Sequence, residues 1–62
     1  MEFKEFDDVL YSDKKLSGTV VNVVRNDDGS IAEYWVELHE GYKRDQDKVV
    51  FANQDELVAD NG

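Results

Sequence analysis

The chain has 62 residues, enough for one small domain that buries only about 60% of its unfolded surface. Fifteen Asp and Glu oppose seven Lys and Arg, so the net charge is −8, and Cys is absent. Disulfides and thiolate zinc sites are therefore excluded, and no apolar run approaches the roughly 20 residues of a membrane span. We expect a cytoplasmic protein that repels nucleic acid and attracts basic surfaces.

The predicted elements are short β-strands joined by polar turns. Residues 6–12 form the first strand, and a basic loop follows at Lys14 and Lys15. The stretch "SGTVVNVVR" at 17–25 is rich in β-branched residues, which favour strands, and is the clearest element of the chain. The turn residues "NDDG" at 26–29 then reverse the chain into a hairpin, because Asp and Asn accept turn geometry and Gly supplies a positive φ.

The second arm of this hairpin is "IAEYWVELH" at 31–39. Strand alternation places one set of its side chains on an apolar face that we expect to point into the core: Ala32, Tyr34, Val36 and Leu38. The opposite face then carries Ile31, Glu33, Trp35, Glu37 and His39. The only Trp of the chain thus lies between two Glu residues, on the face predicted to be wet.

The chain closes with two further strands. "KVVF" at 48–51 is one, and Leu57 to Ala59 is the last. Between them Asn53 and Glu56 have the spacing of a capping box, which predicts a 3₁₀ turn at about 53–56. Residues 60–62 are expected to fray.

This order predicts an all-β fold, a small five-stranded SH3-like barrel with a short 3₁₀ turn before the last strand. We expect a single domain over residues 1–62, with its ordered core at about 6–59. The alternative is an open three-stranded sheet that dimerises, because a lone small sheet cannot cover both of its faces.

One stretch resembles a known motif. Gly18, Val20 and Val23 form G-x-V-x-x-V after the Lys14-Lys15 pair, and this pattern resembles the KOW motif of SH3-like barrels in ribosomal proteins and transcription elongation factors. The ending "VVFANQDELV" looks like the strand–3₁₀–strand close of small SH3-like barrels, including phage-encoded ones. Together the likeness spans roughly residues 6–59.

The resemblance implies an SH3-like barrel that contacts RNA, ribosome or RNA polymerase through basic loops. The usual earlier glycine of the motif is missing, and Ser12 and Asp13 stand near its place. Phosphate contacts dominate affinity for nucleic acid, and a net charge of −8 opposes them. We therefore retain the fold implied by the resemblance and not its RNA ligand.

The residues favour no catalytic, metal or cofactor site. One His, one Thr and three Ser leave little from which to assemble a nucleophile with its base, and the spacing of His39 to the serines indicates no pairing. The acidic turn "NDDG" lacks EF-hand spacing, since Val24 would occupy the first ligand position. No glycine-rich phosphate loop is present. We expect a protein that is not an enzyme and has no cofactor.

Binding to a basic protein is the remaining interpretation. From Asn26 to Tyr42 the chain carries five acidic residues and no Lys or Arg. Trp is enriched among binding hot spots. If Trp35 is open to solvent, this segment is the expected partner surface; if Trp35 is covered, its strand is part of the barrel core and the acidity serves solubility. The candidate partner-binding residues are Asp27, Asp28, Glu33, Trp35, Glu37 and Glu40.

Three functions follow in order of preference. The first is an acidic module that docks on a basic nucleoid, transcription or repair factor, most concretely a DNA-mimic inhibitor of a nucleic-acid-binding protein, of the type that phages often encode. The second is a KOW-like accessory domain that uses Lys14, Lys15, Lys43 and Arg44. The third is a phage structural or assembly component. For the first function we expect no membrane partner and no direct binding of nucleic acid. We expect the protein to be a monomer or a homodimer.

Overall fold

The computed structural model describes residues 2–11 and 16–60. It contains five β-strands: β1 (Asp8–Tyr11), β2 (Leu16–Arg25), β3 (Ile31–Leu38), β4 (Val49–Ala52) and β5 (Leu57–Ala59). Two 3₁₀ turns, Asp45–Asp47 and Gln54–Glu56, precede β4 and β5 respectively. The basic loop predicted at Lys14 and Lys15 lies outside the described residues.

All five strands belong to one antiparallel sheet with the order β4-β3-β2-β1-β5. The first and last strands are neighbours, and the 3₁₀ turn Gln54–Glu56 comes directly before β5. The expected all-β fold, a small five-stranded barrel-like sheet with a 3₁₀ turn before the last strand, is therefore confirmed, and the three-stranded alternative is wrong. The sheet curls around a single core, with a Cα radius of gyration of 11.1 Å.

The core is built from one side of the curled sheet. Its buried members are Phe3, Val9, Val20, Tyr34, Val36, Leu38, Ala52 and Leu57. Phe3 lies outside every strand and its burial was not predicted; its ring meets that of Tyr34 edge-on, with centroids 5.6 Å apart. The segment before β1 therefore covers the end of the barrel core.

A register shift explains the spacing of the motif in β2. Gly18 and Val20 both point inward, opposite Leu38 and Val36. Val21 has no partner on β3, because pairing resumes at Asn22. This bulge shifts the alternation of side chains by one residue, so that the next inward position after Val20 is 23 and not 22. Val23 is thereby returned to the core side. The three-residue step between Val20 and Val23 thus has a packing reason within this sheet.

A second irregularity corrects the predicted core face of β3. Val24 pairs with Glu33 and Arg25 with Ile31, so Ala32 is passed over between them. Strict alternation ends there: Ala32 is exposed, whereas Ile31 packs against the core. The prediction was wrong for these two residues, since a single bulged residue exchanges the faces of everything beyond it.

The predicted strand limits need small changes. The first strand begins at Asp8 and not at residue 6, because Phe6 adopts φ 71° in a turn and is 76% exposed. β4 extends one residue further, to Ala52. Glu56 accepts a hydrogen bond from the Asn53 N–H at 2.9 Å, as the capping-box spacing predicted. The prediction of fraying at 60–62 is wrong for Asp60, whose N–H donates to the carbonyl of Asp8 at 3.1 Å, and residues 61–62 lie outside the described residues.

Gly18 is placed where a side chain would collide with the opposite strand. A Cβ built on it would lie 2.6 Å from Cγ1 of Val36 and 3.1 Å from the carbonyl oxygen of Glu37. We expect Gly18→Ala to lower the free energy of unfolding by about 1–3 kcal/mol, measured by urea denaturation, because overpacking forces side chains and backbone to shift. In a Val36→Ala background this cost should shrink; an equal cost in both backgrounds would contradict the collision.

Candidate interaction site

Trp35 lies on the face of β3 that points away from the core. Its side chain is 37% exposed, and its indole Nε1–H donates a 2.7 Å hydrogen bond to Oε2 of Glu33, two residues away on the same face. The indole also contacts the ring of Phe51, with centroids 5.3 Å apart and planes tilted by 43°. Trp35 is therefore a half-exposed aromatic held from two sides, and not a core residue.

The pairing of β3 with β4 extends this aromatic surface. Phe51 stands opposite Trp35 and Val49 opposite Glu37, so both project from the same face of the sheet. Phe51 is 64% exposed and Val49 is 37% exposed. We call Val49, Phe51 and Trp35, with the flanking Glu33 and Glu37, the Trp35 patch. An exposed apolar cluster with polar neighbours is typical of a protein interaction site.

Sequence reasoning missed Phe51 and Val49. The stretch "KVVF" at 48–51 predicted a strand, but its exposed side was set only by pairing with β3. The register that puts Phe51 against Trp35 depends on the loop between the strands, whose length alone does not determine it.

The carboxylates of the patch are widely spaced. Glu33 and Glu37 are four residues apart on one strand, and at a rise of about 3.3–3.4 Å per residue their Cα atoms lie about 13 Å apart, with Trp35 between them. This face therefore presents two carboxylates, one on each side of an indole. It offers fewer charges and more apolar contact than a phosphate chain.

The other candidate residues lie at the two ends of β3. Asp27 and Asp28 are exposed in the hairpin turn, and Glu40 is exposed beyond the opposite end of the strand. The Oδ1 of Asp28 accepts hydrogen bonds from the N–H and the hydroxyl of Ser30, at 2.9 and 2.6 Å. These bonds hold the pKa of the Asp28 carboxyl below its usual range. Asp28 therefore organises the turn, and only Glu33, Trp35 and Glu37 share one surface.

Three basic side chains among the described residues have acidic, carbonyl or aromatic partners nearby. Arg25 makes an exposed ion pair with Glu2 at 3.4 Å and donates to the carbonyl of Gly29. Arg44 lies 3.8 Å from the carboxylate of Asp47. The ammonium of Lys48 lies 5.9 Å from the centroid of the Tyr42 ring. Exposed pairs of this kind contribute little stability, but they offset positive charge locally.

The only His contacts the only Thr. His39 Nε2 lies 2.7 Å from Oγ1 of Thr19, and that hydroxyl lies 3.4 Å from Oδ1 of Asp8. A catalytic triad needs the carboxylate on the far nitrogen of the imidazole, where it orients the base. Here Asp8 contacts the hydroxyl instead. Among the described residues, the contacts of this cluster form an exposed polar network in which the carboxylate partner lies on Thr19 and not on the imidazole.

An open groove lies between the segment before β1 and the end of β5. Its volume is about 430 Å³, and its lining comprises Glu2, Phe3, Phe6, Asp7, Asp8, Ala59 and Asp60. The volume is within the range of small-molecule sites. Four of the seven lining residues are acidic, so the groove adds to the negative surface of the protein.

Within residues 2–11 and 16–60, no three His, Asp or Glu side chains are grouped so as to hold a metal ion. Nor does any helix in this part of the chain have the length and apolar character needed to cross a membrane.

Comparisons with protein-family models, with curated proteins and with solved structures find no match to this chain. The likeness to the KOW motif consequently remains one of sequence pattern, and the function is argued from the surface itself.

Proposed function

We propose that this protein is a non-enzymatic acidic interaction module that docks through the Trp35 patch on the basic surface of a nucleic-acid-binding protein and occupies it as a DNA mimic would. The observation that carries the proposal is the half-exposed indole of Trp35, hydrogen-bonded to Glu33 and packed on the exposed ring of Phe51. The partner is expected to be a nucleoid, transcription or repair factor in the cytoplasm.

Electrostatics supports the partner class. A net charge of −8 raises the rate of encounter with basic proteins and opposes approach to nucleic acid. At physiological ionic strength the Debye length is about 8 Å, so this steering acts over short distances and weakens with salt. Charge therefore accounts for the choice of a basic partner surface, and it contributes less to the stability of the complex once formed.

The aromatic side chains supply the contact that salt does not screen. Trp and Phe each bury roughly 150–250 Å² when covered, and Trp dominates many interfaces. Trp35 loses little rotamer freedom on binding, because its indole is already held by Glu33 and Phe51. Glu33 and Glu37 beside it can pair with Lys or Arg of a partner, and such cations also lie favourably over an indole face.

The test is capture of partners by immobilised protein, compared between two variants of equal charge. Glu33→Lys/Glu37→Lys alters the Trp35 patch, and Glu5→Lys/Asp55→Lys alters exposed acids elsewhere. Each replacement adds two charges, so both variants change from −8 to −4. We expect the first variant to lose partners identified by mass spectrometry and the second to retain them at moderate salt. A retained partner should release a fluorescent DNA duplex when wild-type protein is added.

Equal loss in both variants would contradict the proposal, because net charge alone would then explain binding. If the captured proteins release no DNA when wild-type protein is added, the proposal of DNA mimicry is wrong. Direct binding of RNA by the wild-type protein, lost on Lys43→Glu/Arg44→Glu, would favour the KOW-like function instead.

A further inference from the structure

The Trp35 patch ends at an open edge of the sheet. Among residues 2–11 and 16–60, β4 is the outermost strand on that side and pairs only with β3. Its sequence, Val-Val-Phe-Ala, contains no charge and no Pro, the usual devices by which proteins protect an edge from pairing. An apolar, β-branched edge strand can accept a further strand through its main chain.

The register identifies the backbone groups that face outward. The N–H of Leu38 donates to the carbonyl of Lys48 at 2.6 Å, so Lys48, and by alternation Val50 and Ala52, direct their main-chain groups toward β3. Val49 and Phe51 consequently direct their N–H and C=O groups away from β3. Their side chains project on the face of Trp35, so the free edge and the Trp35 patch form one continuous surface.

We infer that β4 is extended by an antiparallel strand from the basic partner, whose Lys or Arg side chains lie across the Trp35 patch. The inference rests on the proposed function and specifies how the partner binds. Side chains of an added strand opposite Val49 and Phe51 project on the same face as those two residues. The added strand lies about 4.7–4.9 Å from β4, two such spacings from β3.

Charge complementarity selects the occupant. The long stems of Lys and Arg cover apolar surface while their charged ends extend beyond it, so such side chains can cross Val49 and Phe51 toward Glu37 and Glu33. A cation crossing Phe51 also approaches the ring of Trp35. A second copy of this chain would instead bring together two molecules of charge −8, with their acidic patches side by side.

The probe is an alternating Lys-Val peptide in two N-methylated forms of identical charge and composition. In an antiparallel pair, the peptide residues opposite Val49 and Phe51 exchange hydrogen bonds with them and have their side chains on the patch. If the Lys side chains lie on the patch, N-methylation of the Lys residues removes the N–H groups that bond to β4. N-methylation of the Val residues removes N–H groups that face solvent.

We expect N-methylation at Lys to weaken binding about tenfold or more, since two hydrogen bonds of about 0.5–1.5 kcal/mol each are lost. N-methylation at Val should have little effect, and amide hydrogens of Val49 and Phe51 should exchange more slowly in the saturated complex. A Glu-Val peptide should not bind. Equal weakening in the two N-methylated series overturns the inference.

Val49→Pro provides a second measurement on the protein itself. Edge strands tolerate Pro where the missing N–H faces away from the sheet, so the variant should fold, as checked by circular dichroism, and bind the Lys-Val peptide about tenfold less tightly. If the variant does not fold, the comparison of the two N-methylated peptides still tests whether the peptide pairs with β4. Concentration-dependent dimers of the wild-type protein that Val49→Pro abolishes would overturn the inference in favour of a second copy.

The two proposals fail in different ways. If both N-methylated peptides bind equally and partner capture still depends on Glu33 and Glu37, the strand pairing is wrong and the proposed function stands. If only N-methylation at Lys weakens binding but Glu33→Lys/Glu37→Lys changes neither peptide affinity nor capture, the edge pairing stands and the proposed acidic docking is wrong.

Discussion

Tyr34→Phe is expected to lower the free energy of unfolding by about 1–3 kcal/mol, because it removes the hydroxyl that joins three parts of the core. Tyr34 is fully buried. Its hydroxyl accepts a hydrogen bond from the N–H of Phe3 at 3.1 Å and donates one to Oε1 of Gln54 at 2.5 Å. A chain of this length has roughly 3–9 kcal/mol of stability in total, so the loss is large.

The measurement is urea denaturation of the variant beside Tyr42→Phe. Tyr42 is 36% exposed and lies outside the core, so loss of its hydroxyl should change the free energy of unfolding by less than about 0.5 kcal/mol. Because the Phe3 N–H loses its partner, the segment before β1 should also exchange its amide hydrogens faster in Tyr34→Phe. Equal stability of the two variants would contradict the proposed role of the hydroxyl.

Trp35→Ala is expected to weaken binding of the basic partner about 30-fold or more. Truncation of a Trp hot spot costs about 2 kcal/mol or more, and each 1.4 kcal/mol is a factor of ten. The residue is half-exposed and outside the core, so the folded state should persist. The measurement is titration of the captured partner, or of the Lys-Val peptide, by fluorescence anisotropy of the labelled ligand.

Phe6→Ala is the matched control for this prediction. Phe6 is 76% exposed, another large aromatic on the surface, but it lines the acidic groove, whose lining contains no residue of the Trp35 patch. Its truncation should leave the affinity within about twofold of wild type. If Phe6→Ala weakens binding as strongly as Trp35→Ala, the partner binds at the groove and the assignment of the surface is wrong.

Local signals in the sequence predicted most of the fold. The β-branched run at 17–25, the turn at 26–29 and the capping-box spacing of Asn53 and Glu56 each correspond to an observed element. These signals depend on propensity and on contacts between residues close in the chain, and they are readable without a tertiary structure. Tyr34, Val36 and Leu38 were also assigned to the core correctly from alternation.

The errors occur where one extra residue interrupts alternation. Because Ala32 is passed over in the pairing of β2 with β3, Ala32 is exposed and Ile31 lies on the core side, the reverse of the prediction. A bulge depends on the pairing register of two strands, so the identity of the bulged residue does not predict it. The burial of Phe3 was missed for a similar reason, since its partner Tyr34 is 31 residues away in the chain.

The sequence by itself determined the strand content, the acidic charge and the placement of Trp35 between two Glu residues, because each depends on composition or on near neighbours. The tertiary structure decided whether that Trp is covered. Pairing of β3 with β4 brings Phe51 against one side of the indole and leaves its remaining surface open beside an unprotected strand edge. Exposure depends on which strands are neighbours and in what register, and these are long-range choices made by packing the whole core.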